Sequence, residues 1–212
     1  MKIKDKKTRL IIALLVLTAL TAVMPIKEII TDPSIIGRSI TFTKVFVTGL
    51  EINHSCSAFF YEGWNLISNP CATENKSIKF VLSSIEEDYW SVHGYNSYDE
   101  NDPWKAYNPH LPSWVVNDLN EISEMQGYWI NMKNQSNFHI NGTLVQPNMI
   151  QLPEGWNLIG YPSNESKNIT DALDTIEGSY DFVWMYNATD DVYYYFNSSS
   201  GNGTISEIEM YK

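Results

Sequence analysis

Positive charge is scarce in this chain. Of 14 lysines and arginines in 212 residues, five (Lys2, Lys4, Lys6, Lys7 and Arg9) fall in the first nine positions. From residue 25 onward nine basic side chains stand against 24 acidic ones, a net charge of −15. A surface of that sign repels phosphate backbones and excludes nucleic-acid binding. Catalytic spacing is missing as well. Neither converging carboxylates nor a nucleophile placed with a base can be read from the sequence, which points away from an enzyme such as a secreted hydrolase. The four histidines, His54, His93, His110 and His139, form no i,i+3 or i,i+4 pair. A zinc site needs three or four converging ligands, so these side chains read as strand or loop residues. What the chain has in quantity is apolar material. Hydrophobic residues make up 43% and aromatics 13%, which excludes a disordered or collagen-like polymer. The length suits one ordinary domain or two small ones with a buried core.

The basic residues 1–9 precede an unbroken run of apolar residues and threonines, Leu10 to Met24, stopped by Pro25. A charged segment followed by an apolar one is the pattern of a secretory signal. The run is shorter than the roughly 20 residues of a membrane-spanning helix. Cleavage after Ala22 would put Leu20, which is not small, at the −3 position. An uncleaved membrane anchor with its basic end in the cytoplasm is therefore the alternative for residues 1–24. Any contact with a membrane is expected through this segment alone. No cysteine follows the run, so a lipoprotein anchor is excluded.

Asn-x-Ser/Thr acceptors point to the same compartment. They occur at Asn53, Asn75, Asn134, Asn141, Asn164, Asn168, Asn187, Asn197 and Asn202. With 20 asparagines and 33 serines and threonines, chance placement gives about three. An exported, N-glycosylated chain accounts for the excess.

Internal repetition sets the expected architecture. Tyr61-Glu62-Gly63-Trp64-Asn65-Leu66-Ile67-Ser68-Asn69-Pro70 returns as Pro153-Glu154-Gly155-Trp156-Asn157-Leu158-Ile159-Gly160-Tyr161-Pro162. Val81–Ile85 answers Ala172–Ile176, Tyr89–Asn96 answers Tyr180–Asn187, and Leu119 and Ile122 answer Ile205 and Ile208. The Glu-Gly-Trp-Asn-Leu-Ile motif reads as a turn glycine followed by a strand, closed by a proline that cannot donate to a ladder. Ser77–Ile85 and Asn168–Ile176 carry apolar residues at helical spacing and start near Ser, Thr or Asn caps. Val92–Tyr95 and Val183–Tyr186 read as strands, and Asp118–Met125 as a second short helix. Gly127–Met132 reads as a strand, and Asn137–Val145 as a further strand or a hairpin turning at Asn141-Gly142. The fold expected is α+β, mainly β: two tandem units of antiparallel strands with short helices, after an N-terminal signal or anchor helix. The expected divisions are a signal or anchor at 1–24, a strand-rich lead-in at 25–58, one unit at 59–150 and a second at 151–212. The second reaches Lys212 before a counterpart of Gly127–Met132. That leaves a strand edge and an apolar groove near Val183, Trp184 and Tyr186.

Tandem Gly-Trp-Asn-Leu-Ile-Gly-Tyr-Pro units, with Gly-Tyr-Trp-Ile closing the first, resemble repeat modules of secreted and surface-layer-associated proteins of archaea and some bacteria. The resemblance covers roughly residues 59–212. It implies a cell-envelope or extracellular location, a structural or adhesive role and N-glycosylation, and it is silent about chemistry.

Three candidate sites remain. Cys56 and Cys71 see oxidising conditions in an exported chain, and a hairpin through Tyr61-Glu62-Gly63 would let them pair. Asp99 and Asp102 in the first unit, and Asp190 and Asp191 in the second, are the oxygens that would take calcium. The Asp-x-Asp-x-Asp-Gly loop of tight sites is absent, and solvated acids are the plainer explanation. Trp64, Trp129 and Trp156 sit in the repeated strands and are expected in the core. Trp104 and Trp114 lie in the long loop of the first unit and are the candidate platform for a ligand.

The function expected is a non-enzymatic extracellular or cell-surface glycoprotein module, structural or adhesive. Its partners would be other envelope proteins or surface glycans, the latter through Trp104 and Trp114. Protein purified from its native host should exceed its polypeptide mass by several glycans. An intact mass equal to that of the bare polypeptide would overturn the glycosylation reading.

Overall fold

A computed structural model describes residues 8–13, 54–69, 71–112, 114–144, 150–161 and 166–208. The chain is mostly β, with antiparallel sheets and very short helices. Its strands are β1 (Thr8–Ala13), β2 (His54–Phe60), β3 (Gly63–Ser68), β4 (Cys71–Ala72), β5 (Tyr89–Tyr95), β6 (Trp104–Tyr107) and β7 (Gly127–Met132). They continue with β8 (Ser136–Leu144), β9 (Trp156–Gly160), β10 (Lys167–Asn168), β11 (Tyr180–Asn187), β12 (Val192–Asn197), β13 (Asn202–Gly203) and β14 (Glu207–Ile208). Helices α1 (Ile78–Val81) and α2 (Ile169–Ala172) each make one turn.

The repeated motif builds the same turn twice. Gly63 and Gly155 have φ of +89° and +103°, a region that glycine enters without a Cβ penalty. The asparagine two residues on is buried and ties the turn down. Asn65 Oδ1 accepts the Tyr61 N–H (2.9 Å), and its Nδ2 donates to the Tyr61 and Gly63 carbonyls at 2.7 and 3.1 Å. Asn157 Nδ2 donates to the Pro153 and Gly155 carbonyls at 2.9 and 3.2 Å. A buried amide with partners rigidifies the entry to each strand.

In the first half, β3, β7, β5 and β6 form an antiparallel sheet in that order. Its inward face, with Ile67, Val92, Tyr128, Ile130 and Met132, packs on α1, on the following turn at Ser83–Ile85 and on a second sheet ordered β2-β8-β4. Tyr89 and Val92 reach the same core although three residues apart. A strand of period two allows this only with a register shift, which falls between Tyr89 and Ser91. In the second half Ile159, Ile169, Leu173, Tyr180, Val183, Phe196 and Ile208 form the matching core.

Several expectations change in detail. The helices at 77–85 and 168–176 form but are split into one α-turn and one 3₁₀ turn each. Asn168 caps α2 by accepting the Thr170 N–H at 3.0 Å, whereas Asn75 takes the Ser77 N–H. Asp118–Met125 is not a helix. It runs extended beside α1, with Ile78 N–H to Asn120 O and Ile122 N–H to Lys76 O, both 2.9 Å. Its two apolar residues are separate contacts with the core. In the second half β10 pairs with β14 in the equivalent way. β8 continues through Asn141-Gly142 without a hairpin turn, and Gly142 is needed because a Cβ there would strike the Ala72 carbonyl.

Cys56 and Cys71 are bonded and fully buried. No hairpin brings them together, since β2 and β3 belong to different sheets. Both cysteines lie on strands paired with β8. Closing a separation of 15 residues contributes about 3 kcal/mol in the chain-entropy description. The strand β2 starts at His54, within the expected lead-in; residues 25–53 lie outside the described residues.

Of the N-terminal segment, only Thr8–Ala13 is described, and it forms a strand. The five-stranded sheet of the second half runs β13-β12-β11-β1-β9. β1 therefore holds the place that β7 holds in the first sheet, but lies parallel to both neighbours where β7 is antiparallel to its own. The edge expected near Val183 is thus covered, and Val183 is fully buried. The open backbone of β9 and β11 supplies the reason, because unpaired strand groups cost free energy unless another strand meets them. No helix among the described residues is long and apolar enough to cross a membrane.

The outer faces of the two sheets meet. Gly160 N–H donates to Met125 O at 2.9 Å, and Gln126 Nε2 donates to the carbonyls of Tyr95 and Leu158, 2.9 Å each. Ser68 and Gly160, corresponding positions of the motif, lie so close that a Cβ on Gly160 would collide with Ser68. Gly160→Val should therefore force the halves apart and cost about 1–3 kcal/mol, read as a lower denaturant midpoint. An unchanged midpoint would show that the halves do not meet there.

Candidate functional site

Strand alternation sends one set of side chains from each sheet into its own core and the other set toward the opposite half. From the first half the second set includes Trp64, Leu66, His93, Tyr95, Trp104 and Trp129. From the second it includes Trp156, Leu158, Trp184, Tyr186, Tyr193 and Tyr195. Leu66 and Leu158 pack at the centre, with Tyr95, Trp129 and Tyr186 around them. Around this dry contact the facing surfaces leave three adjoining clefts of about 340, 400 and 410 Å³, within the size range of small-ligand sites. The first is lined by Trp64, His93, Trp129, Tyr186, Asp191 and Tyr193 among others. The second includes Tyr95, Pro103 and Trp156, and the third Trp156 and Trp184. Trp104 lines all three.

The rings form a connected array across the halves. Trp129 lies 5.1 Å from Tyr186 and 6.2 Å from Tyr193, centroid to centroid, and 6.4 Å edge-on from Trp64. Tyr95 and Trp104 meet edge to face at 5.0 Å, and Trp184 lies 5.6 Å from Tyr195. Such tilted and edge-to-face pairs fit the ring quadrupole and hold one another in place. Trp64, Trp104 and Trp156 nevertheless keep 43%, 50% and 39% of their surface exposed. Large aromatics left that open on a packed face indicate a contact surface.

Polar groups mark the rim. Tyr186 OH donates to Asp191 Oδ1 at 2.6 Å. Burial, reinforced by this carboxylate, pushes the Tyr186 hydroxyl up to about 12, so it remains a donor. Asp191 itself has φ +53°, in the left-handed region of the β11–β12 turn. His93 stacks obliquely on Trp64 at 5.6 Å and shares a 3.0 Å hydrogen bond with Ser91 Oγ. Its partial burial lowers its pKa below the ordinary value, favouring the neutral ring.

The structure distributes the sequence candidates as follows. Trp104 stands in the cleft, whereas Trp114, 81% exposed, is not among the residues lining it. Trp64, Trp129 and Trp156 are not core residues but cleft walls. Asp99 and Asp102 converge on Lys105, whose ammonium sits 3.1 and 2.9 Å from their carboxylates. Asp190 accepts from Asn187 Nδ2 at 3.0 Å and Asp191 from Tyr186. Among the described residues no three His, Cys, Asp or Glu side chains gather as metal ligands would. The described sequon asparagines Asn75, Asn134, Asn141, Asn168 and Asn202 are exposed, and Asn187 and Asn197 are half-buried. Asn53 and Asn164 lie outside the described residues. Sequence reasoning missed the cleft, although apolar side chains on both faces of β3 and β9 signalled sheets covered on two sides.

An NMR titration should give His93 a midpoint below 6.5, moving back toward that value in Trp64→Ala, which opens the site to water. The folded protein binds this proton less readily than the unfolded chain, so stability should fall as pH drops through 6.5. A midpoint at or above 6.5 would place His93 in free contact with solvent.

Compared with protein-family models, with curated proteins and with solved structures, the chain matches none.

Proposed function

We propose that this protein is a non-enzymatic, extracellular or cell-surface glycoprotein module that adheres to surface glycans through the aromatic cleft. It is built from two copies of one unit, carried behind an N-terminal export signal or membrane anchor. The paired use of corresponding residues supports the duplication. Ser77 bridges to Glu121 as Asn168 does to Glu207, and in both Gly-Trp-Asn turns the asparagine Nδ2 donates to the same two turn carbonyls. The buried disulfide and the accessible sequon asparagines support an oxidising, glycosylating route.

The observation that carries the glycan reading is the convergence of half-exposed tryptophans and tyrosines from both halves on one cleft. Sugar rings have apolar C–H faces that stack on indole and phenol, while their hydroxyls need donors and acceptors at the edge. Tyr186, Asp191 and His93 supply these. The negative surface favours neutral polysaccharides over acidic ones. A structural role against other envelope proteins would use the same surface as a packing face.

Binding to an array of neutral polysaccharides separates these roles. Trp104→Ala and Trp129→Ala should each weaken binding about tenfold, since one lost ring stack of about 1.5 kcal/mol corresponds to that factor. Trp114→Ala should leave it unchanged. Undiminished binding in both cleft variants, or no binding by the parent protein, would overturn the glycan reading.

A further inference from the structure

The second sheet has a place for a strand that its own half does not fill. β9 and β11 do not pair with each other; each pairs with β1, which arrives from the far end of the sequence. In the first half the equivalent gap between β3 and β5 is filled by β7, from the same half. We propose that the gap between β9 and β11 is an acceptor site for an extended apolar strand, and that its occupant is the chain's own segment Thr8–Ala13, acting as an intramolecular strand donor.

Three observations support this assignment. β1 registers residue by residue with β9, Arg9 to Ala13 against Trp156 to Gly160, so the pairing covers the whole of β9. On β11 it meets Tyr180, Val183 and Trp184, with a register shift that matches the one between β7 and β5. Two of the contacted residues, Leu158 and Val183, belong to the central contact between the halves and to the core of the second half. Strand addition of this kind draws its affinity from main-chain hydrogen bonds, so it tolerates a parallel donor. Segment 8–13 also lies within the basic and apolar N-terminus, and its donor role rests on the anchor reading of that segment, since cleavage of a signal after Ala22 would remove it. It cannot be in a bilayer and in the sheet at once. Withdrawing it from the sheet therefore opens a site that another extended strand can enter, and this switch is independent of what the cleft binds.

The test uses the full chain with Leu10→Pro and Ile12→Pro, because proline cannot donate to a ladder. Hydrogen exchange in residues 156–160 and 180–187 should accelerate at least tenfold, while exchange in β3, β5 and β7 stays as it was and serves as the folded control. Adding a synthetic peptide of residues 8–13 should restore slow exchange. Unchanged exchange in the proline variant would overturn the proposal. As a second measurement, the unsubstituted chain is cut at a protease site placed between residues 14 and 53. The released N-terminal fragment should co-elute with the body at dilutions where the protein is monomeric. Separation of the two, or slow exchange seen only in a dimer, would remove the intramolecular donor.

Discussion

The arrangement depends on a close contact between the Ser68 side chain and the bare backbone of Gly160. Ser68 and Gly160 come from the same position of the repeated motif, and they can lie against each other because one of them has no side chain. From that point Leu66 meets Leu158, and Gln126 donates to a carbonyl on each side. Replacing this amide with an apolar group would leave two carbonyls without their donor at the joint, at a cost of about 1–3 kcal/mol each if they stayed buried. The facing sides of the two sheets carry large apolar and aromatic side chains, and joining the halves takes part of that surface out of water. Their joining is a consequence of composition, and the clefts are what remains where large rings keep the faces from closing fully.

Much of this could be read from sequence where a single residue imposes a local conformation. Gly63 and Gly155 marked turns, and both adopt positive φ. The strands after them, the strand Gly127–Met132 and the pairing of Cys56 with Cys71 were all legible. Segment 118–125 was misread because Leu119 and Ile122 share a spacing of three, which fits either a helix or two separate insertions into a core. Only its hydrogen bonds to Lys76 and Ile78 decide between them, and those partners lie some 40 residues away. The disulfide was right and its geometry wrong for a similar reason. Its cysteines are neighbours because of β8, a strand that follows both in sequence.

The cleft was illegible for a different reason. A tryptophan on a strand has one of two faces, and sequence alone cannot say which face becomes a core and which an interface. Trp64 and Ile67 lie on opposite sides of β3, and both looked like core. His93 and its counterpart Trp184 both line clefts, but at different places. On the outer faces Trp64 and Trp156, Leu66 and Leu158, and Tyr95 and Tyr186 are identical, so His93 and Trp184 stand out as an exchange there. The residues facing the cores, Val92 and Val183 or Ile122 and Ile208, remain alike and fully buried.

Glycans, if carried at the sequons, would share one molecular surface with the cleft, and the positions are compatible. Asn187 ends β11 and Asn197 ends β12, so they flank the β11–β12 ladder at opposite ends and leave Tyr193 and Tyr195 between them. Asn187 Nδ2 donates to Asp190, and its Oδ1 accepts the Thr189 N–H. A sugar on that nitrogen leaves one N–H, enough to keep the bond to Asp190. The turn that aims Asp191 at Tyr186 can thus survive modification. None of the described sequon asparagines lines the clefts. Carbohydrate attached at these positions would shield the edges and turns of the molecule, leaving the aromatic surface between the halves as the apolar ground still open to a partner.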